Sequence, residues 1–171
     1  MRMSLTFLSM VLLTPVALAE PKAQDDQTVT VGSWSIATNY KTDRFESCTM
    51  SRSAGELGIT FLRASDGLLL ILDSAKWKLN RGKAYPVRLV AGSRSVNAQA
   101  LAETKSVTIA LEDSRLNSKL RSVSFFEVHG EGATLRVPLE GSSTALARLD
   151  ACFTKHETAG TNPFVASSRK P

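Results

Sequence analysis

From Val29 to Leu139 the chain mostly alternates apolar and polar residues with a period of two, the pattern of half-buried strands. Val29 and Val31 open it, and Trp34 and Ile36 continue it in the opposite parity. A parity switch at Gly32-Ser33 predicts a bulge, because glycine reaches the backbone angles a bulge needs. Cys48 and Met50 form the next run, then Leu57, Ile59 and Phe61. Ser65-Asp66-Gly67 is a hairpin signal leading into Leu68-Leu69-Leu70-Ile71-Leu72, which has no polar face and is expected to be buried on both sides. Asn80-Arg81-Gly82 turns the chain again, and Tyr85, Val87 and Leu89 then share one parity. Pro86 lacks an N–H and belongs at an edge or a strand start. Val96 to Ala100, Val107 to Leu111, Val123 to Val128 and Leu135 to Leu139 complete the series.

Two segments shift toward a period of 3.6. Leu116, Leu120 and Val123 predict a short helix capped at Asp113 or Ser114. After Gly141, residues Ala145, Leu146, Leu149, Cys152 and Phe153 make one apolar stripe, with Arg148, Asp150 and Lys155 outside it. The sum is mainly β: an antiparallel β-sandwich or barrel of about nine strands, with one short helix and a C-terminal helix. Strands that follow one another without intervening helices argue against a doubly wound parallel sheet.

The ends read differently. Arg2, the apolar run Leu5 to Leu13 and Ala17-Leu18-Ala19 have the order of a secretory signal over residues 1–19, cleaved between Ala19 and Glu20. That run is too short to span a bilayer, and no later segment is longer, so the chain is not expected to be transmembrane. Residues 20–27 are a polar lead-in, 28–156 a single β-rich domain, and 157–171 have the composition of a disordered tail. The expected location is periplasmic or secreted.

Export changes what two cysteines mean. In an oxidising compartment Cys48 and Cys152 are most simply one disulfide, stapling the C-terminal helix to an early strand. The competing reading, a catalytic thiol, finds no CxxC pair and no cysteine-protease signature.

Several short motifs carry a resemblance. They are an early Trp34, the Phe45-x-x-Cys48 element, Trp77-x-Leu-x-x-Gly-x-x-Tyr85, and Val137-Pro-Leu-x-Gly141 before Ala145-Leu146. Together they resemble small exported alphaproteobacterial proteins of the invasion-associated locus B family. The resemblance implies a compact β-rich periplasmic domain connected with host-cell invasion, without an established enzymatic activity. The four-cysteine layout associated with that family is absent, since the chain has two.

Catalytic groups are scarce. The two histidines, His129 and His156, stand in no HExxH or HxH arrangement, and His156 at a helix end suits the helix dipole. There is no nucleophile elbow, Walker loop or GxGxxG; neither Ser74-Ala75-Lys76 nor Asn117-Ser118-Lys119 has the Ser-x-x-Lys spacing. No catalytic residue, metal ligand or cofactor is assigned. Acidic pairs occur at Asp25-Asp26 and Glu112-Asp113, the second at the expected helix cap.

The chain of 171 residues carries a net charge of +5, one unit less once Arg2 is cleaved away. More telling is the segment 76–94, where Lys76, Lys78, Arg81, Lys83, Arg88 and Arg94 occur with no Asp or Glu between them. With Trp77, Leu79, Tyr85, Val87 and Leu89 turned inward, the cations would share an outer surface. That surface suits an anionic envelope polymer, a lipid headgroup or an acidic protein. The plainer alternative is a solvated edge that Lys and Arg protect from strand pairing. Nucleic acid is excluded by compartment and by the lack of a stacking motif. The leading expectation is a non-enzymatic periplasmic or secreted β-domain that binds an envelope component or a protein partner. Its rivals are an envelope hydrolase using paired carboxylates and a structural accessory of an envelope complex. Nothing in the sequence sets the oligomeric state.

Overall fold

A computed structural model of the chain describes residues 28–159. The signal, the lead-in and most of the expected tail lie outside the described residues. Ten strands form one antiparallel sheet: β1 (Val29–Val31), β2 (Trp34–Lys41), β3 (Arg44–Ala54), β4 (Leu57–Ala64), β5 (Gly67–Asp73), β6 (Ala84–Ala91), β7 (Arg94–Ala102), β8 (Ser106–Ala110), β9 (Phe125–His129) and β10 (Thr134–Pro138). Helix α1 (Ser114–Leu120) lies between β8 and β9, and α2 (Ser142–Ala159) follows β10. The mainly antiparallel β class with one short and one C-terminal helix is as the alternation indicates.

The tenth strand comes from the parity switch at Gly32-Ser33. It is a two-residue hairpin turn instead of a bulge: Val31 pairs with Trp34 and Val29 with Ile36. Gly32 takes φ +60°, which a two-residue turn requires at no steric cost to glycine. The switch in parity keeps Val31 and Trp34 on one face. A register irregularity does occur, further along at Asn39/Tyr40.

The sheet order is β1-β2-β3-β4-β5-β8-β7-β6-β9-β10. After a five-strand meander the chain leaves β5, runs through residues 74–83 and enters β6 three strands away. Two hairpins then return it to β5, and α1 carries it back to β9 on the far side of β6. β1 and β10 are not paired, so the sheet stays open. It curls around one core: buried Trp34 and Ile36 on β2 join Leu70 and Leu72 on β5, Ile109 on β8, Leu89 on β6, and Phe126 and Val137 near the other edge. The Trp34 indole N–H donates to the carbonyl of Glu140, just past β10, at 3.0 Å.

Both helices lie on this inner face. Asp113 caps α1 by accepting from the Leu116 N–H at 2.6 Å, and Leu116 and Leu120 enter the core. Val123 lies beyond the end of α1, partly buried against the core. The apolar stripe of α2 is buried at Ala145, Leu146, Leu149 and Phe153. Its fifth member, Cys152, is bonded to fully buried Cys48 of β3, closing a separation of 104 residues. The helix continues three residues past His156.

One burial expectation fails. In β5, Leu70 and Leu72 are fully buried, but Leu69 and Ile71 are only half-buried. The helices pack on β2 to β4 and on β6 and β7, all from the inside, leaving the outer face of β5 to solvent. Leu101 on the same outer face is 54 % exposed.

Candidate functional site

One end of the curled sheet is less well filled than the other. At the strand ends near Tyr40 and Phe45, α2 supplies Phe153 and the half-buried His156, which stacks on Phe45 with ring centroids 5.4 Å apart. Away from this end lies a part of the core lined by no residue of α1 or α2. There the segment 74–83 arches beside the β7–β8 turn and is pinned to it: the Ser74 N–H donates to the Lys105 carbonyl, that of Leu79 to Thr104 and that of Gly82 to Ala102. The Lys105 ammonium donates to the Ala75 carbonyl at 2.9 Å. The β9–β10 hairpin, closed by Gly130 N–H donating to Ala133 O at 2.9 Å, forms the facing rim.

Between them lies a cavity of about 350 Å³ that opens to solvent. Trp77 and Leu79 line it from the arch, Tyr85 and Val87 from β6, Val128 and Leu135 from β9 and β10. The alternation in β6 explains the lining, since Tyr85 and Val87 point in while Ala84, Pro86 and Arg88 are exposed. Pro86 fits because β6 pairs with β9 only over Arg88–Val90, so the first half of the strand has a free flank. The size falls within the range of small-molecule pockets, and the lining is predominantly apolar.

The six basic residues of 76–94 do not form one patch. Lys76 pairs with Glu56 at 2.7 Å and Arg81 with Glu103 at 2.8 Å, acids supplied by distant turns. Arg94 sits at the other end of the β6–β7 hairpin, bonded through two nitrogens to Asp113. The eight residues of β6 separate it from Lys83 by roughly 26 Å. Lys78, Lys83 and Arg88 have no acidic partner among the described residues. Lys83 holds its ammonium 4.8 Å from the centroid of the Tyr85 ring, at the edge of the cavity. The exposed carboxylate at the rim is Glu131.

The arrangement that the hydrolase reading needs is not met at Glu112-Asp113. These two carboxylates do line a second cavity, of about 500 Å³, beside α1. The Arg94 guanidinium and the Leu116 N–H hold the Asp113 carboxyl below its ordinary range. A carboxylate so engaged on both oxygens serves as a helix cap and an ion-pair partner, whereas a general acid needs a raised pKa. His129 is held on the outer face between the Glu127 carboxylate at 3.0 Å and the Thr134 hydroxyl at 3.2 Å. No group of His, Cys, Asp or Glu that could hold a metal occurs among the described residues. No helix of the described residues is long and apolar enough to cross a membrane.

Sequence reasoning found the near wall of the cavity through the inward parity of Trp77, Leu79, Tyr85 and Val87. It missed Val128, Leu135 and the 130–133 turn. Only the placement of β9 beside β6 brings them opposite, and no local pattern announces that pairing. No family model, no curated protein and no solved structure matches the chain. The resemblance to the invasion-associated locus B family rests on the sequence motifs alone.

Proposed function

We propose that the protein is an exported, non-enzymatic β-domain that binds an anionic lipid of the cell envelope through the basic rim on residues 76–88. The observation that carries this reading is Lys83, whose ammonium lies 4.8 Å from the centroid of the cavity-lining Tyr85 ring and has no acidic partner among the described residues. Lys78, equally unpaired, stands between the lining residues Trp77 and Leu79, and Arg88 adds a further unpaired cation on the outer face of β6. Cations of this kind near an anionic surface contribute about 1 kcal/mol each. Trp77 and Tyr85 add amphipathic rings suited to a polar–apolar boundary. The Cys48–Cys152 bond supports an oxidising location, in keeping with the leader read in residues 1–19. An envelope polymer or an acidic protein would use the same charges but not the cavity next to them.

The test is co-sedimentation of the mature protein with vesicles of phosphatidylcholine alone or with phosphatidylglycerol. Binding is expected only to the anionic vesicles, weakening as salt rises. Replacing Lys78, Lys83 and Arg88 together by Glu should weaken it about 100-fold or more, by the charge contributions above. Equal binding to neutral vesicles, or a triple variant that binds like the native protein, would overturn the proposal.

A further inference from the structure

We infer that the cavity under residues 74–83 takes one alkyl chain of that anionic lipid, with the head group held at Lys83. The inference rests on the lipid reading just given and adds the mode of binding. Three features support it. The walls are predominantly apolar: Trp77 and Leu79 from the arch, Val87 from β6, Val107 from β8, Val128 and Leu135 from the facing strands. Polar groups stand where the head would be: the Lys83 ammonium at the Tyr85 ring, a Tyr85 hydroxyl and a Trp77 indole N–H, these last two without hydrogen-bond partners among the described residues. Glu131, the acidic residue in the lining, lies on the 130–133 turn across from Tyr85, and Glu103 on the near side is taken up by Arg81, so the unpaired charge at the Lys83 side is positive and favours an anionic head. An unbranched chain suits a groove bounded by two strand faces and an arch, and the apolar lining rewards each methylene buried.

Alkyl carboxylates of six, eight and ten carbons are the probes, titrated calorimetrically into the mature protein and followed in parallel through tryptophan emission. Trp77 lines the cavity, and the second tryptophan, Trp34, is fully buried elsewhere, so emission reports the site. Affinity should rise about fourfold per added methylene until the chain fills the space. Decanol should bind without dependence on Lys83, whereas Lys83→Glu should weaken decanoate at least tenfold. Val87→Phe, which fills the cavity, and Ala133→Phe, which blocks its exposed rim, should each weaken decanoate at least tenfold. Ala133 is exposed, so the second variant tests the idea even if the first fails to fold. Affinity that does not rise from six to ten carbons, or decanoate binding unchanged in Ala133→Phe, overturns the inference. Loss of chain binding with anionic vesicle binding intact would remove this inference alone. Chain binding with vesicle binding indifferent to the charge variant would remove the basic-rim proposal alone.

Discussion

Removal of the Cys48–Cys152 bond is the sharpest perturbation of the fold. The bond closes a separation of 104 residues, which in the chain-entropy description constrains the unfolded state by about 4.7 kcal/mol. Alanine at both positions also removes two sulfurs from the seam between α2 and β3, where Cys48 is fully buried, at a further cost of roughly 1 kcal/mol. Against this, α2 keeps Ala145, Leu146, Leu149 and Phe153 in the core, and each buried Leu is worth about 1.5–3 kcal/mol. The helix should therefore stay docked, and the loss should appear as global destabilisation of about 5–6 kcal/mol, roughly 10–20 °C in Tm. Urea denaturation followed by far-UV circular dichroism, on Cys48→Ala/Cys152→Ala and on native protein with and without reductant, measures it. The unfolded chain without its cross-link is less compact, so the denaturant slope should increase. The intact mature chain should weigh two protons less than its dithiol form. A loss below about 1 kcal/mol, or separate melting of α2 with the sheet unaffected, would refute the reasoning.

Other perturbations probe other parts. Asp113→Asn should lower stability near neutral pH; since the native carboxyl is held below its ordinary value, the difference from wild type should be full above the unfolded value of ~3.9 and vanish as pH falls through the native value, as pH-dependent denaturation would show. Trp34→Phe loses the bond to the Glu140 carbonyl and the stacking of the Arg52 guanidinium, 5.3 Å from the ring centroid, and should cost about 2–3 kcal/mol in urea denaturation. Leu70→Ala should cost about 2–5 kcal/mol by the same assay, while Leu101→Ser on the outer face should stay within about 0.5 kcal/mol.

The strands were legible because one face of each meets the core and the other meets water, which writes a period of two into Val107-x-Ile109 or Leu57-x-Ile59-x-Phe61. The stripe of α2 was legible for the same reason at 3.6. What sequence could not show was lateral order. The parity switch at Gly32-Ser33 is the same signal for a bulge and for a two-residue turn, and only the pairing of Val31 with Trp34 separates them. The apolar run of β5 suggested two buried faces, yet no helix crosses the outer side, and Leu69 and Ile71 keep partial exposure. Charge was misleading in a similar way. A window free of acids along the chain is not free of them in space, because Glu56, Glu103 and Asp113 arrive from other turns. The cavity has the same origin: one part of its wall is local to residues 77–87, Ala100 and Val107 come from β7 and β8, and the rest is delivered by the crossover through α1 to β9 and β10.

The claim that residues 76–88 and the cavity beneath them form a lipid-binding site is tested most directly by amide chemical-shift mapping of the mature protein with short-chain phosphatidylglycerol. Saturable shifts confined to residues 76–88, the inward positions of β9 and β10, and the 130–133 turn are the predicted result. Shifts centred on α2 and the Tyr40–Phe45 end, or no saturable shifts at all, would contradict it.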